Sequence, residues 1–175
     1  MANASEFSEN TIKDNVSNEE TPRTLGGIAS LYNNSYYEVS KFQDLKYAGT
    51  GIGITGGFYK YNSDKTGIVP VASASEARFF AVCPPQKLEK KRVKNYNALV
   101  GFAENGNTIA CIDLEMSGYQ ITFFVLTKTE VKKDDFITFN DEYGVKKAGD
   151  GDTKLAKVVR GGYAGSVIEV DFNVK

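Results

Sequence analysis

The sequence predicts an all-β protein: a small barrel or sandwich of short antiparallel strands, with an extended N-terminal arm, one short helix, and the question of two related halves left open. Three observations carry this. Residues 167–174 alternate strictly, with Ile168, Val170, Phe172 and Val174 facing one way and Glu169, Asp171 and Asn173 the other, the period of a half-buried strand. Short runs of β-branched and aromatic residues recur between Gly, Asn and Asp turn signals, which favours a barrel or sandwich over a βαβ fold. Two stretches also echo each other. Phe58-Tyr-Lys-Tyr-Asn62, Gly67-Ile-Val and Ala81-Val-Cys83 parallel Phe136-Ile-Thr-Phe-Asn140, Gly144-Val-Lys and Ala156-Lys-Val158, and a Gly-x-x-Ile follows each set, at Gly106 and at Gly165. A chance likeness between two hairpins accounts for so short a match equally well.

With 175 residues, 41% of them hydrophobic, the chain can bury a sizeable core. Residues 1–35 are read as the arm. Positions 1–24 hold five acids against two bases and few apolar side chains, too little burial to offset ordering entropy without a partner. Phe7, Ile12 and Val16 are spaced to act as separate anchors across a neighbouring surface, the plainer alternative being a frayed terminus. The β body is placed at 36–175, divisible into 36–116 and 117–175. Ser35-Tyr-Tyr-Glu38 has capping-box spacing, and Val39, Phe42 and Leu45 follow at helical intervals, so a helix is expected over about 36–46.

Gly51-Ile-Gly53-Ile-Thr-Gly56 meets the letter of a dinucleotide fingerprint, but Gly57-Phe-Tyr-Lys-Tyr follows with strand character where a helix is needed. A flexible loop or a crowded strand crossing fits the glycines better. Further strands are expected at 57–61, 68–72, 78–83, 97–103, 136–139, 144–148 and 154–159. Alternation over 108–116 and 119–125, with Ser117-Gly118 between them, predicts a β-hairpin.

The chemistry is mostly exclusion. The chain has no histidine, which removes Ser-His-Asp, Cys-His and zinc-hydrolase schemes. Cys83 and Cys111, far apart in sequence, read as buried thiols and not as a disulfide framework or a metal knuckle. Asp150-Gly-Asp152 misses the EF-hand spacing and suits a turn, with cation binding there left open. No window is apolar enough to span a membrane and the start lacks the pattern of a signal peptide, so a soluble, unexported chain is expected. No catalytic residue, cofactor or metal is assigned, and no enzyme activity is expected.

A net charge of −1 gives no global pull toward nucleic acid or anionic membrane, so neither is expected as a partner. The basic run Lys87-Leu-Glu-Lys-Lys-Arg-Val-Lys94 carries five bases and one acid. Apart from Tyr96 it lacks the nearby aromatics of a nucleic-acid site. Lys87, Lys90, Lys91, Arg92 and Lys94 are therefore candidates for contact with an acidic protein surface, against the plainer reading of a solvated loop.

The last forty residues, from Lys133 through Phe172, resemble the small β domain of tailed-phage head decoration proteins, also called cement or auxiliary capsid proteins. The resemblance lies in a strand at Asp135–Phe139, a turn at Asn140–Gly144, a basic strand at Val145–Ala148, a strand at Leu155–Val158 and a closing strand at Gly165–Phe172. Ala156 stands where the family more usually has Gly. It implies a structural protein on the outside of a phage head, made in the bacterial cytoplasm, bound to the major capsid protein and stabilising joints between its subunits. Homo-oligomers, trimers among them, are left open. The arm and the basic run would then be the contacts. The competing reading is a carbohydrate- or surface-binding β module of a phage fibre or cell-surface protein, with Tyr32, Tyr36, Tyr37, Tyr59 and Tyr61 as contacts.

Overall fold

Alternating runs become strands here because each can hide one face in a closed sheet while its backbone is paired on both sides. The computed structural model describes residues 22–31, 42–84, 89–116, 118 and 121–174. Their strands are β1 (Arg23–Leu25), β2 (Ile28–Leu31), β3 (Gln43–Lys46), β4 (Ile52–Ile54), β5 (Phe58–Tyr61), β6 (Ile68–Pro70), β7 (Phe79–Ala81), β8 (Lys90–Arg92), β9 (Ala98–Glu104), β10 (Thr108–Asp113), β11 (Ile121–Thr127), β12 (Phe136–Asp141), β13 (Gly144–Lys147), β14 (Ala156–Arg160) and β15 (Val167–Asp171). One 3-10 turn, Ala74–Glu76, interrupts them. The architecture is all-β.

Two five-stranded units have the same wiring. The first runs β6-β5-β7-β10-β3 and the second β13-β12-β14-β15-β11, with β2 added outside β11. In each unit the first strand pairs antiparallel with the last and touches the third in parallel, bending the sheet toward a barrel. That closure is a ladder in the second unit, Leu126 opposite Gly144 and Thr127 opposite Val145. It is a single bridge in the first, Tyr47 opposite Ile68.

The registers coincide as well. Tyr59 opposite Pro70 and Tyr61 opposite Ile68 match Ile137 opposite Lys147 and Phe139 opposite Val145. The bond from Gly106 N to Tyr47 O, 2.8 Å, matches that from Gly165 N to Thr127 O, 2.8 Å. Residues 58 and 136, 67 and 144, and 106 and 165 therefore hold equivalent places, as their sequences suggest. Ala81, however, is equivalent to Val158 and not to Ala156, because Cys111 faces Ala81 where Val170 faces Val158.

The interiors follow from the shared register. Tyr59, Ile68, Phe79, Ala81, Ile109 and Cys111 fill the first unit. Ile137, Val145, Ala156, Val158, Ile168 and Val170 stand at the same places in the second. Phe58, Phe80 and Ile112 alternate out of the first unit and join the core of the second. There the Phe80 ring lies 4.5 Å from Phe172 and 5.6 Å from Phe123, and Phe58 lies 6.3 Å from Phe139. This aromatic joint packs the outer face of the first sheet into the core of the second unit, while the first unit's own interior stays a separate cluster.

Three expectations need correction. The helix over 36–46 is not formed in its described part: Gln43–Lys46 is β3, paired with Thr108–Cys111. The ladder to β10, with Leu45 laid against the first unit's core, overrides a local i, i+3 pattern. The hairpin of 108–116 with 119–125 is absent, since β10 pairs with β3 and β7, while β11 pairs with β15, β2 and β13. Both are already flanked on two sides and belong to different sheets; of the expected turn, Ser117 lies outside the described residues. Finally, 23–31 of the stretch read as an arm is sheet: β1 runs parallel to β9 and β2 antiparallel to β11, with Leu25 fully buried.

Candidate partner-binding surface

The two units differ most between their fourth and fifth strands. Arg160 to Val167 joins them directly in the second unit, whereas the first inserts 82–107, which carries β8 and β9. β9 is held from one side. It pairs with β1 at Ala98–Val100 and with β4 at Phe102–Glu104, and the buried Thr55 hydroxyl donates to Leu25 O (2.7 Å) and accepts from Gly101 N (2.9 Å). Val93, Ala98 and Val100 pack with Leu25, Ile54 and Leu126 in a third, small core. The inserted hairpin is thus rigidly mounted against the second unit.

Its other side is open among the described residues. β8 pairs antiparallel with β9, Lys90 opposite Gly101, Lys91 opposite Val100 and Arg92 opposite Leu99, and no described strand lies beyond it. All three residues are exposed, as is Lys94 in the turn that follows. The turn is fixed by Asn95 at φ +72°, by Val93 N to Ala98 O at 2.9 Å, and by Arg92 Nη2 to Asn97 Oδ1 at 2.9 Å. Among the described residues no carboxylate lies within ion-pair distance of Lys90, Lys91 or Lys94. The edge presents a row of cations to solvent.

An open groove of about 260 Å³ adjoins the Lys90 end, lined by Arg23, Ile28, Cys83, Pro84, Lys90 and Phe124 among others. Arg23 lies over the Phe124 ring at 5.1 Å. The groove therefore has an apolar floor between two cations. Burial pushes the Cys83 thiol upward, only partly opposed by the Lys90 charge, so it is not an activated nucleophile. Sequence reasoning missed Arg23 and Phe124, because their meeting depends on the pairings of β1 and β2.

Other candidates fare differently. Phe7, Ile12, Val16 and Lys87 lie outside the described residues, as do Tyr32, Tyr36 and Tyr37. Tyr59, named as a glycan contact, is instead core: it is 2% exposed, and its hydroxyl donates to Ile54 O and accepts from Ile54 N, both at 2.8 Å. Tyr61 packs edge-on against Phe79 at 4.9 Å. Asp152 closes a turn by accepting from Gly149 N at 2.8 Å, and among the described residues no group of three or more Cys, Asp or Glu side chains is gathered as a metal site would need. Cys83 and Cys111 are both free and buried. No helix among the described residues is long and apolar enough to cross a membrane.

Beside the hairpin, Lys128 caps Tyr96, its Nζ 5.2 Å from the ring centroid, and bonds Asp141 at 2.8 Å. Asp141 also accepts from Tyr143 N and Gly144 N, each at 3.1 Å. Burial alone would raise the Asp141 carboxyl, but the bonds from Lys128 and the turn amides outweigh it and hold it below the ordinary carboxylate value. A depressed folded value stabilises above the unfolded pKa of about 3.9 and is lost as pH falls through the folded one. Asp141→Asn is expected to be less stable than wild type at pH 7, with the difference shrinking below about pH 4. Urea melts at pH 7, 4 and 2.5 check this, and a difference independent of pH would contradict it.

No family model and no curated protein matches the chain. Among solved structures it is similar to the crystal structure of the head fiber gp8.5 N base in bacteriophage phi29, with a TM-score of 0.42 and 11% identity over 74% of this chain and 92% of that one.

Proposed function

We propose that the chain is a structural binding module that decorates the outside of a tailed-phage head and stabilises joints between major capsid subunits. The observation that carries the reading is the mounted cationic edge: the inserted hairpin is buried against the body on one side and offers Lys90, Lys91 and Arg92 to a partner on the other. The resemblance of 133–172 to phage cement domains supplies the partner. Such a role needs a stiff β body and contacts repeated over a lattice, where weak interactions add as avidity. A cationic row on a rigid strand suits an acidic shell exterior, steering encounter and fixing orientation.

Co-sedimentation with emptied heads of the source virus tests it. Full-length protein is expected to bind saturably at a fixed copy number per shell and to weaken steeply as salt rises. The charge-reversed Lys90→Glu/Lys91→Glu/Lys94→Glu protein, which leaves the Arg92–Asn97 bond of the turn in place, is expected to lose about tenfold or more in affinity at low salt while keeping its melting temperature, since these side chains are solvent-exposed. A chain lacking residues 1–21 measures the share of Phe7, Ile12 and Val16. Absence of saturable binding by the full-length protein would overturn the reading and turn attention to glycan arrays.

A further inference from the structure

We infer that β8 binds its partner by strand addition: an extended, acidic polypeptide segment pairs with the free edge of Lys90–Arg92 and lays an apolar side chain into the groove floored by Ile28 and Phe124. This rests on the reading of β8 as a binding surface, and names the partner's chemistry.

The backbone supplies the first argument. Phe102 N bonds Glu89 O at 3.1 Å and Val93 N bonds Ala98 O at 2.9 Å, while Lys91 stands opposite Val100. In an antiparallel ladder alternate residues turn their peptide groups to the same neighbour. Glu89, Lys91 and Val93 therefore face β9, and the N–H and C=O groups of Lys90 and Arg92 point away from it. Among the described residues nothing pairs with them, so they form a donor and acceptor row ready for another strand.

Charge selects which strand. Lysines on a free edge normally block pairing, because a second copy of the same edge would set like charges opposite each other. Here that bars self-pairing through β8 while favouring a strand with acids at matching places, since directly opposed unlike charges stabilise a ladder. Nucleic acid fits less well. It has no peptide groups to continue the ladder, and Tyr96, the aromatic nearest in sequence, is already stacked under Lys128. The groove at the Lys90 end adds an apolar preference beside the charges.

The test uses the full-length protein and an eight-residue peptide of alternating glutamate and valine, capped at both ends. It is compared with a twin N-methylated on the residues meant to pair, which keeps charge and side chains but removes ladder donors. Peptide addition is expected to slow amide exchange at Lys90 and Arg92 while leaving Lys91 unchanged. The twin and the triple glutamate variant are each expected to bind about tenfold more weakly or worse. Equal binding of the twin, or no protection at Lys90 and Arg92, would overturn strand addition, as would an oligonucleotide that protects the same two amides. If heads bind saturably but the peptide protects nothing, strand addition fails and the decoration reading stands. If the peptide protects and heads do not bind, the decoration reading fails and strand addition stands.

Discussion

Phe80→Ala is expected to lower stability by about 3–5 kcal/mol, the range for removing a large buried aromatic. Phe80 is fully buried and its ring touches Phe58 at 5.3 Å, Phe123 at 5.6 Å and Phe172 at 4.5 Å. It belongs to β7 of the first unit, yet Phe123 and Phe172 belong to the second, so truncation opens a cavity in the joint between two closed sheets. Each sheet's own ladder and interior remain. The loss should therefore appear in cooperativity as well as in magnitude. Guanidinium melts followed by circular dichroism and by tyrosine fluorescence are expected to coincide for wild type and to separate for the variant. Phe80→Leu, which keeps most of the volume, should cost much less. A loss below about 1 kcal/mol for Phe80→Ala would mean that the joint does not couple the units.

The same joint explains what the sequence could and could not reveal. β15 was legible because Ile168 and Val170 alternate with acidic residues, although the face expected to be wet is partly core: Glu169 is buried, accepting from the Thr122 hydroxyl and paired with Arg160. The equivalence of the two units was visible where small or aromatic residues are forced by geometry. Gly106 and Gly165 both take positive φ, +95° and +88°, and Phe58 and Phe136 open matching strands. It slipped by two residues at Ala81, because Phe79 fills in the first unit the place that small Ala156 takes in the second. β3 was illegible since Gln43–Lys46 has too few apolar residues to show a period, and its pairing with β10 lies far along the chain. The hairpin error has the same root: alternation reports that a segment is a strand, never which strand it joins. For the site, the basic run was plain from composition. That it forms an edge strand, with Arg23 and Phe124 beside it, needed the fold.

Gly26→Ala is expected to prevent folding, even though alanine adds a single methyl group. Two costs meet there. Gly26 has φ +79°, a region that costs an L-residue about 1–2 kcal/mol. Its added Cβ would also lie 2.6 Å from both Ala81 O and Gly56 N, astride the 2.7 Å bond that those two atoms make. Neither neighbour is a side chain that can swing away. Gly26 N bonds Phe124 O at 2.8 Å and Gly26 O accepts from Cys83 N at 2.9 Å, so the residue is held from the second unit on one side and the first on the other. Moving it breaks the contacts that bring β1, β7 and β11 together. Gly51→Ala separates the two costs, since Gly51 has φ +67° but open space where its Cβ would be. It is expected to fold, with a loss of about 1–2 kcal/mol, whereas Gly26→Ala should yield insoluble or unfolded chain by expression, circular dichroism and thermal melting. Equal losses at the two positions would show that backbone conformation, and not the crossing of three strands, sets the requirement for glycine at Gly26.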